Sequence, residues 1–283
     1  MGQERCIACE GELALFGDRD GYAYHRCERC ASLQLVPLPT EQFLEQAYAE
    51  KYASSGHIPS NAAYSRKVYF NHYQAVIAAI KTHCRQGLVL EAGPGWGGVG
   101  EELLASGYTY QAVEPSNDMA DYCRRQGLEV IGPSLFTVKG RSYDVIVLSS
   151  VFEHLVNHHD WLEHARELLK PGGLVVSTQP TAPFAELMGQ CFRLGNMTKP
   201  LPQLHQVFCP PWHVALFSLE GMRKLAASHG FQCLEIRPMP QAREAGVNGW
   251  MQRILERVNR LGWAVAGEHW PLVIGHIFVL RKE

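Results

Sequence analysis

The stretch Leu88-Val-Leu-Glu-Ala-Gly-Pro-Gly-Trp-Gly-Gly-Val-Gly100 constrains this chain more than any other part of it. An apolar run of strand length feeds into a glycine-rich turn, and the turn into a helical pattern from Val99 to Ala105. Glycine lets a backbone approach a ligand closely, because no Cβ stands in the way. Downstream, apolar runs alternate with helical patterns, which implies an α/β domain with a parallel sheet. The 283 residues, 46% of them hydrophobic, are enough for one large domain with a sizeable core and a small appended module.

The turn alone leaves its ligand open. Gly93, Gly95 and Gly98 satisfy the dinucleotide pattern G-x-G-x-x-G, while Gly93, Gly95 and Gly97 satisfy the G-x-G-x-G of another nucleoside-binding turn. Glu91 stands just before the first glycine, where a carboxylate suits an ammonium or sulfonium cation better than a pyrophosphate. Glu114 falls at the end of the next strand, where its oxygens can accept hydrogen bonds from both hydroxyls of a ribose. Ser116 is placed to cap the helix after it. A third strand from Tyr143 delivers Ser149, Ser150, Glu153 and His154 to the rim of the sheet, where open α/β sheets bind ligands.

Glu91 to Gly97, Val113-Glu-Pro-Ser116, Phe152-Glu-His-Leu155 and Leu169-Lys-Pro-Gly-Gly173, in that order, resemble the class I S-adenosylmethionine-dependent methyltransferases over roughly residues 64 to 281. The resemblance implies a Rossmann-like seven-stranded sheet with helices on both faces and a reversed last hairpin. It implies Glu91, Ala92, Gly93, Gly95 and Gly97 around the methionyl end of S-adenosylmethionine, and Glu114 with Pro115 at its ribose. It also implies Ser134 and Leu135 by the adenine and Ser149 and Ser150 at the rim. Ser134 departs from the acidic residue that family members often carry there.

A sulfonium methyl is already electrophilic, so the protein's work is to align acceptor, methyl and sulfur and to exclude water. Where the acceptor must lose a proton, His154 is the first candidate base, since imidazole titrates near working pH, and Glu153 stands beside it. Some related methyltransferases hold a divalent metal with an E-x-x-E-H cluster. Ser150 replaces the first glutamate here, so a catalytic magnesium is not expected. Tyr69 and His72, on a helix predicted from Ala62 to Cys84, and His213, in a long segment from Pro180 to Phe217, are candidate substrate contacts. That segment reads as a lid, with Phe184, Phe192, Phe208 and Trp212 as its apolar wall and His205 as a further histidine.

Before the α/β pattern, Cys6-x-x-Cys9 and Cys27-x-x-Cys30 flank two short apolar runs, Leu13 to Phe16 and Tyr22 to Tyr24. Two such turns can present four thiolates to one tetrahedral zinc, a closed and therefore structural site. Chain organisation is read as a zinc-ribbon module (1–39), helical linker and cofactor-covering helices (40–85), and a methyltransferase domain (86–283) with a lid insertion at 180–217. With no apolar leader in view and reduced cysteines, a cytoplasmic location is expected.

Net charge is −2, and a tight nucleic-acid binder needs a basic stripe, so neither nucleic acid nor a membrane is the expected partner. The ribbon followed by the catalytic domain is similar in order to bacterial methyltransferases of nucleotide-linked sugars and natural products, which implies a small-molecule acceptor. Three alternatives stay open. An RNA methyltransferase is one, since a ribosomal-RNA group also carries an N-terminal zinc site. A non-catalytic protein that senses the cofactor and recruits a partner through its ribbon is another. A nicotinamide-dependent oxidoreductase is kept by the dinucleotide reading of the glycines.

Overall fold

The computed structural model describes residues 4–54, 58–195 and 207–283. A hairpin of β1 (Leu13–Arg19) and β2 (Tyr22–Cys27), turned at Asp20 and Gly21 with φ of +53° and +82°, is followed by β3 (Leu33–Leu35). Two helices come next, α1 (Glu41–Ser54) and α2 (Ile58–His83). Thr40 caps the start of α1, its hydroxyl accepting the Phe43 N–H at 3.2 Å.

The main layer is assembled from β4 (Leu88–Ala92), α3 (Gly98–Ala105), β5 (Thr109–Val113), α4 (Asn117–Arg125), β6 (Val130–Gly132) and β7 (Tyr143–Ser149). The chain continues with α5 (His158–Leu168), β8 (Leu169–Pro180), α6 (Ala182–Gly195), β9 (Ala215–Leu216), which joins the first sheet, and α7 (Leu219–Ser228). It ends with β10 (Phe231–Pro238), α8 (Gly246–Ala266) and β11 (Gly275–Lys282).

Seven strands form one sheet in the order β10-β11-β8-β7-β4-β5-β6. β4 pairs in parallel with both β5 and β7, so strand order reverses at β4 and opens a crevice at its carboxyl end. β11 runs antiparallel to both β8 and β10, the reversed hairpin that the resemblance implies.

Strand period 2 splits the core cleanly. Val145 and Val147 of β7 face a layer with Val76, Ile77, Ile80 and Leu103 from α2 and α3. Ile146 and Leu148 face the opposite layer, with Trp161, Leu162, Met222 and Leu225 from α5 and α7. Each such fully buried aliphatic contributes roughly 1.5–3 kcal/mol relative to exposure.

The cysteine-bearing module is not an appended bead. β3 pairs with β9, so the four-stranded sheet β1-β2-β3-β9 takes its last strand from far along the chain. Cys6, Ala8, Cys27 and Cys30 share the core of α5 and α7, while Tyr24, Leu33 and Leu35 pack with Ala182, Phe184 and Leu216.

The segment read as a lid begins as a helix. α6 tolerates Pro183 because a first-turn proline lacks only an N–H that would have no helical partner. Residues 196–206, His205 among them, and the Phe192 side chain lie outside the described positions. Phe184 and Phe208 do not form a pocket wall: Phe184 is buried in the ribbon cluster, and the Phe208 ring lies edge-on to Tyr24 at 5.1 Å and against Phe16. α8 turns Asn259 inward to accept from the Trp270 indole at 3.0 Å, and leaves Trp250, Ile254 and Val258 exposed.

Candidate functional site

The glycine turn leaves β4 through three left-handed residues, Gly93, Gly95 and Gly97, with φ of +69°, +53° and +74°. They are not interchangeable. A Cβ at Gly93 would stand 2.9 Å from Val151, and one at Gly97 would stand 2.5 Å from Leu128, whereas one at Gly95 would meet nothing within 4 Å. Gly95 therefore opens onto free space at the carboxyl end of the sheet. Gly98, the third glycine of the dinucleotide reading, is covered by the Tyr73 ring and serves the contact of α2 with α3.

Glu114 ends β5 and reaches back to this turn. One carboxylate oxygen accepts the Gly95 N–H at 3.4 Å and the other accepts the Ser116 N–H at 3.0 Å. Burial raises its pKa and the two amides oppose that rise. A carboxylate has about four lone-pair sites, so two remain for hydroxyl donors in the open space beside Gly95. Pro115 is exposed next to it. The Ser116 side chain accepts the Met119 N–H and caps α4. Cys123 of α4 donates its thiol to the Gly95 carbonyl at 3.3 Å, a support for the turn that a lone cysteine in sequence does not reveal.

Glu91 is placed differently from Glu114. Its carboxylate, 1% exposed, accepts the Tyr110 hydroxyl at 2.6 Å and lies against the Gly100 amide. It thus braces the first turn of α3 from below the crevice. Desolvation pushes its pKa up to about 7, against the hydrogen bond from Tyr110. Ala92 is buried at the strand end. Ser134 caps a short 3-10 turn by accepting the Phe136 N–H at 3.3 Å, and Leu135 is buried in the core behind it.

On the other side of the crevice, β7 hands over to Ser149 and Ser150. Ser150 takes φ +56°, and its N–H donates to the Thr178 carbonyl at 2.8 Å. His72 reaches across from α2, with Nε2 2.9 Å from the Ser149 hydroxyl and 3.4 Å from that of Thr178. Burial drives its pKa down to about 4, so the ring is neutral at physiological pH. Tyr69, on the same helix, is 43% exposed beside Glu244 and apart from this group.

The next turn holds Glu153 and His154. Glu153 is 1% exposed, one of its oxygens is buried with no hydrogen-bond partner, and desolvation pushes its pKa up to about 8. The His154 ring lies 5.0 Å from the His213 ring, and Glu153, His154 and His213 each offer a ligand atom within 4.8 Å of the others. The long segment is therefore joined to the rim: the Val214 N–H donates to the Glu153 carbonyl at 2.8 Å. His158 opens α5 close to this group. It is buried against Phe152 and Phe217, with Nε2 2.9 Å from the Phe152 carbonyl.

The four cysteines of the two C-x-x-C turns converge. Cys6 and Cys30 sulfurs are 3.6 Å apart, Cys9 and Cys27 sulfurs 3.5 Å, and all four lie within 4.8 Å of one another without a disulfide. Sulfurs arranged around a tetrahedral zinc at 2.3 Å sit at about this separation. The Arg29 and Cys30 amides both donate to the Cys27 sulfur at 3.4 Å.

A reversed seven-stranded sheet, a glycine turn after its central strand and an acidic residue closing the neighbouring strand define the class I fold of S-adenosylmethionine-dependent methyltransferases. A family model described as a methyltransferase domain matches residues 66–236, and the chain belongs to that family.

Among curated proteins, the chain is 28% identical over 113 residues to an uncharacterized methyltransferase of Oceanobacillus iheyensis. That alignment covers 38% of this chain and 53% of the relative, so the match spans about half the relative's length. Among solved structures, it is similar to the 1,6-didemethyltoxoflavin N1-methyltransferase of Burkholderia thailandensis, with a TM-score of 0.55, 13% identity, and coverage of 96% of this chain and 99% of the other. It also resembles the magnesium protoporphyrin IX methyltransferase of Synechocystis, with a TM-score of 0.50, 12% identity, and coverage of 77% and 86%. At such identities the likeness is one of fold. Among the described residues, no helix is long and apolar enough to cross a membrane.

Proposed function

We propose that this chain transfers a methyl group from S-adenosylmethionine to a small-molecule acceptor, with a nucleotide-linked sugar or natural-product intermediate as the acceptor class. The observation that carries the reading is Glu114: a buried carboxylate at a strand end, held by the Gly95 and Ser116 amides, beside a turn with open space at Gly95. The residues fit the cofactor. Glu114 would hold the ribose hydroxyls, the backbone from Gly93 to Gly97 the methionyl end, and Ser134 and Leu135 would border the adenine. When bound, the cofactor supplies a methyl on a cationic sulfur.

The chain's own part is alignment and exclusion of water. Ser149, Ser150 and His72 form one wall of the crevice, and Glu153, His154 and His213 meet the acceptor's reacting polar group and take any proton it must lose. Glu91 supports the turn from beneath. A structural zinc on Cys6, Cys9, Cys27 and Cys30 would fix the ribbon. A small acceptor agrees with the net charge of −2 and with the bound heterocycle of the Burkholderia relative.

Calorimetry with S-adenosylmethionine, S-adenosylhomocysteine and NAD tests the reading. We expect both sulfur ligands to bind and NAD not to. NAD binding without either of them overturns it. Cofactor binding with no methyl transfer across a broad acceptor library replaces it with a sensor.

A further inference from the structure

We propose a second metal site, distinct from the cysteine cluster: a divalent transition-metal site formed by Glu153, His154 and His213. Three observations converge on it. The three side chains bring one ligand atom each to within 4.8 Å of one another. Glu153 is fully buried, and one of its oxygens has no hydrogen-bond partner, which is costly for a carboxylate unless a proton or a cation answers it.

The third observation is how the imidazoles are held. His154 Nδ1 is 2.7 Å from the Trp212 carbonyl and His213 Nδ1 is 2.5 Å from the Val207 carbonyl. A carbonyl only accepts, so each Nδ1 carries a proton and Nε2 is the nitrogen through which each ring would ligate. Orientation of a histidine through a backbone carbonyl on its far nitrogen is how metal-binding imidazoles are fixed.

Two imidazoles and one carboxylate select the ion. This set suits zinc, cobalt, iron or manganese and is poor for magnesium, which prefers an all-oxygen shell. Replacement of a glutamate by Ser150 argues against magnesium only. The completing ligand comes from a residue 59 positions after His154, which spacing near the E-H pair cannot reveal.

Three protein ligands leave a coordination position open, and His154, with 23% of its side chain exposed, marks the accessible side. An oxygen of the acceptor would occupy that position. This last step rests on the proposed crevice, whereas metal binding does not.

The test uses the full chain with its cysteines saturated with zinc, titrated with Co2+. One further equivalent is expected, with visible d–d bands and no thiolate charge-transfer absorption, which separates it from exchange into the cysteine cluster. Glu153→Gln and His213→Ala should each weaken this equivalent at least tenfold while circular dichroism and zinc content stay unchanged. In the wild type, cobalt should also give paramagnetically shifted imidazole N–H resonances, a readout that needs no variant. No second equivalent at millimolar Co2+, or wild-type binding in both variants, overturns the site. S-adenosylhomocysteine affinity, measured separately, reports on the methyltransferase reading alone.

Discussion

Glu91 and Glu114 close adjacent strands with the same side chain, and their surroundings give them different work. Glu114 keeps two acceptor sites toward open space; in Glu114→Gln the amide oxygen can keep the shorter bond from the Ser116 N–H while the longer one from Gly95 is lost, so the fold should persist with about 1 kcal/mol less stability. Loss of the charge should weaken S-adenosylhomocysteine binding by roughly tenfold or more, read by calorimetry. Unchanged affinity would remove Glu114 from the ribose site.

Glu91 has its pKa raised to about 7 by burial, above an ordinary unfolded value near 4.5. The native state therefore binds more protons than the unfolded state in that window, and stability falls as pH rises from about 4.5 to about 7. The loss is on the order of 3 kcal/mol. Because Glu153 and the buried His72 titrate in the same range, the checking measurement is a difference: the unfolding free energy of wild type minus that of Glu91→Gln, taken ligand-free by denaturant, should fall by this amount between pH 5 and pH 8. At this scale the sequence located both carboxylates, but the Tyr110 hydroxyl that claims Glu91 comes from the neighbouring strand, and only pairing in register brings it there.

Between elements, the glycine turn divides its duties position by position. Gly97→Ala meets both a left-handed backbone and the buried Leu128, and should destabilise the protein by about 2–3 kcal/mol. Gly95→Ala has the backbone strain without a clash, so about 1 kcal/mol of stability should be lost. Its methyl group enters the cradle, and S-adenosylhomocysteine affinity should fall more than tenfold. Equal effects of the two substitutions on stability would contradict this division. The strands and most helices were legible because their periods of 2 and 3.6 are local. α6 was not, since prolines spread through residues 180–217 mask a helix that places its own proline in the first turn.

Across the whole molecule, the cysteine module and the crevice are mechanically joined. Tyr24 of β2 places its hydroxyl on the carbonyls of Phe208 and His213, the segment that carries one of the rim histidines. Tyr24→Phe should cost about 1 kcal/mol of stability and lower methyl-transfer activity without touching cofactor affinity. Because Cys6, Cys27 and Cys30 lie in the same core as α5 and α7, chelation or Cys27→Ser should lower the melting temperature of the entire protein. The fall should be on the order of 10 °C, in a single calorimetric transition. A separate early transition for the ribbon would show that the two parts unfold independently. Sequence by itself determined the class of fold, the glycine turn, the two strand-end carboxylates and the four-cysteine set, because each is a short pattern whose geometry follows from neighbouring residues. Only tertiary structure decided that β9 completes the ribbon's sheet and that His213 stands beside Glu153 and His154. Those contacts join residues from distant parts of the chain, and burial and strand pairing, which carry no local signature, bring them together.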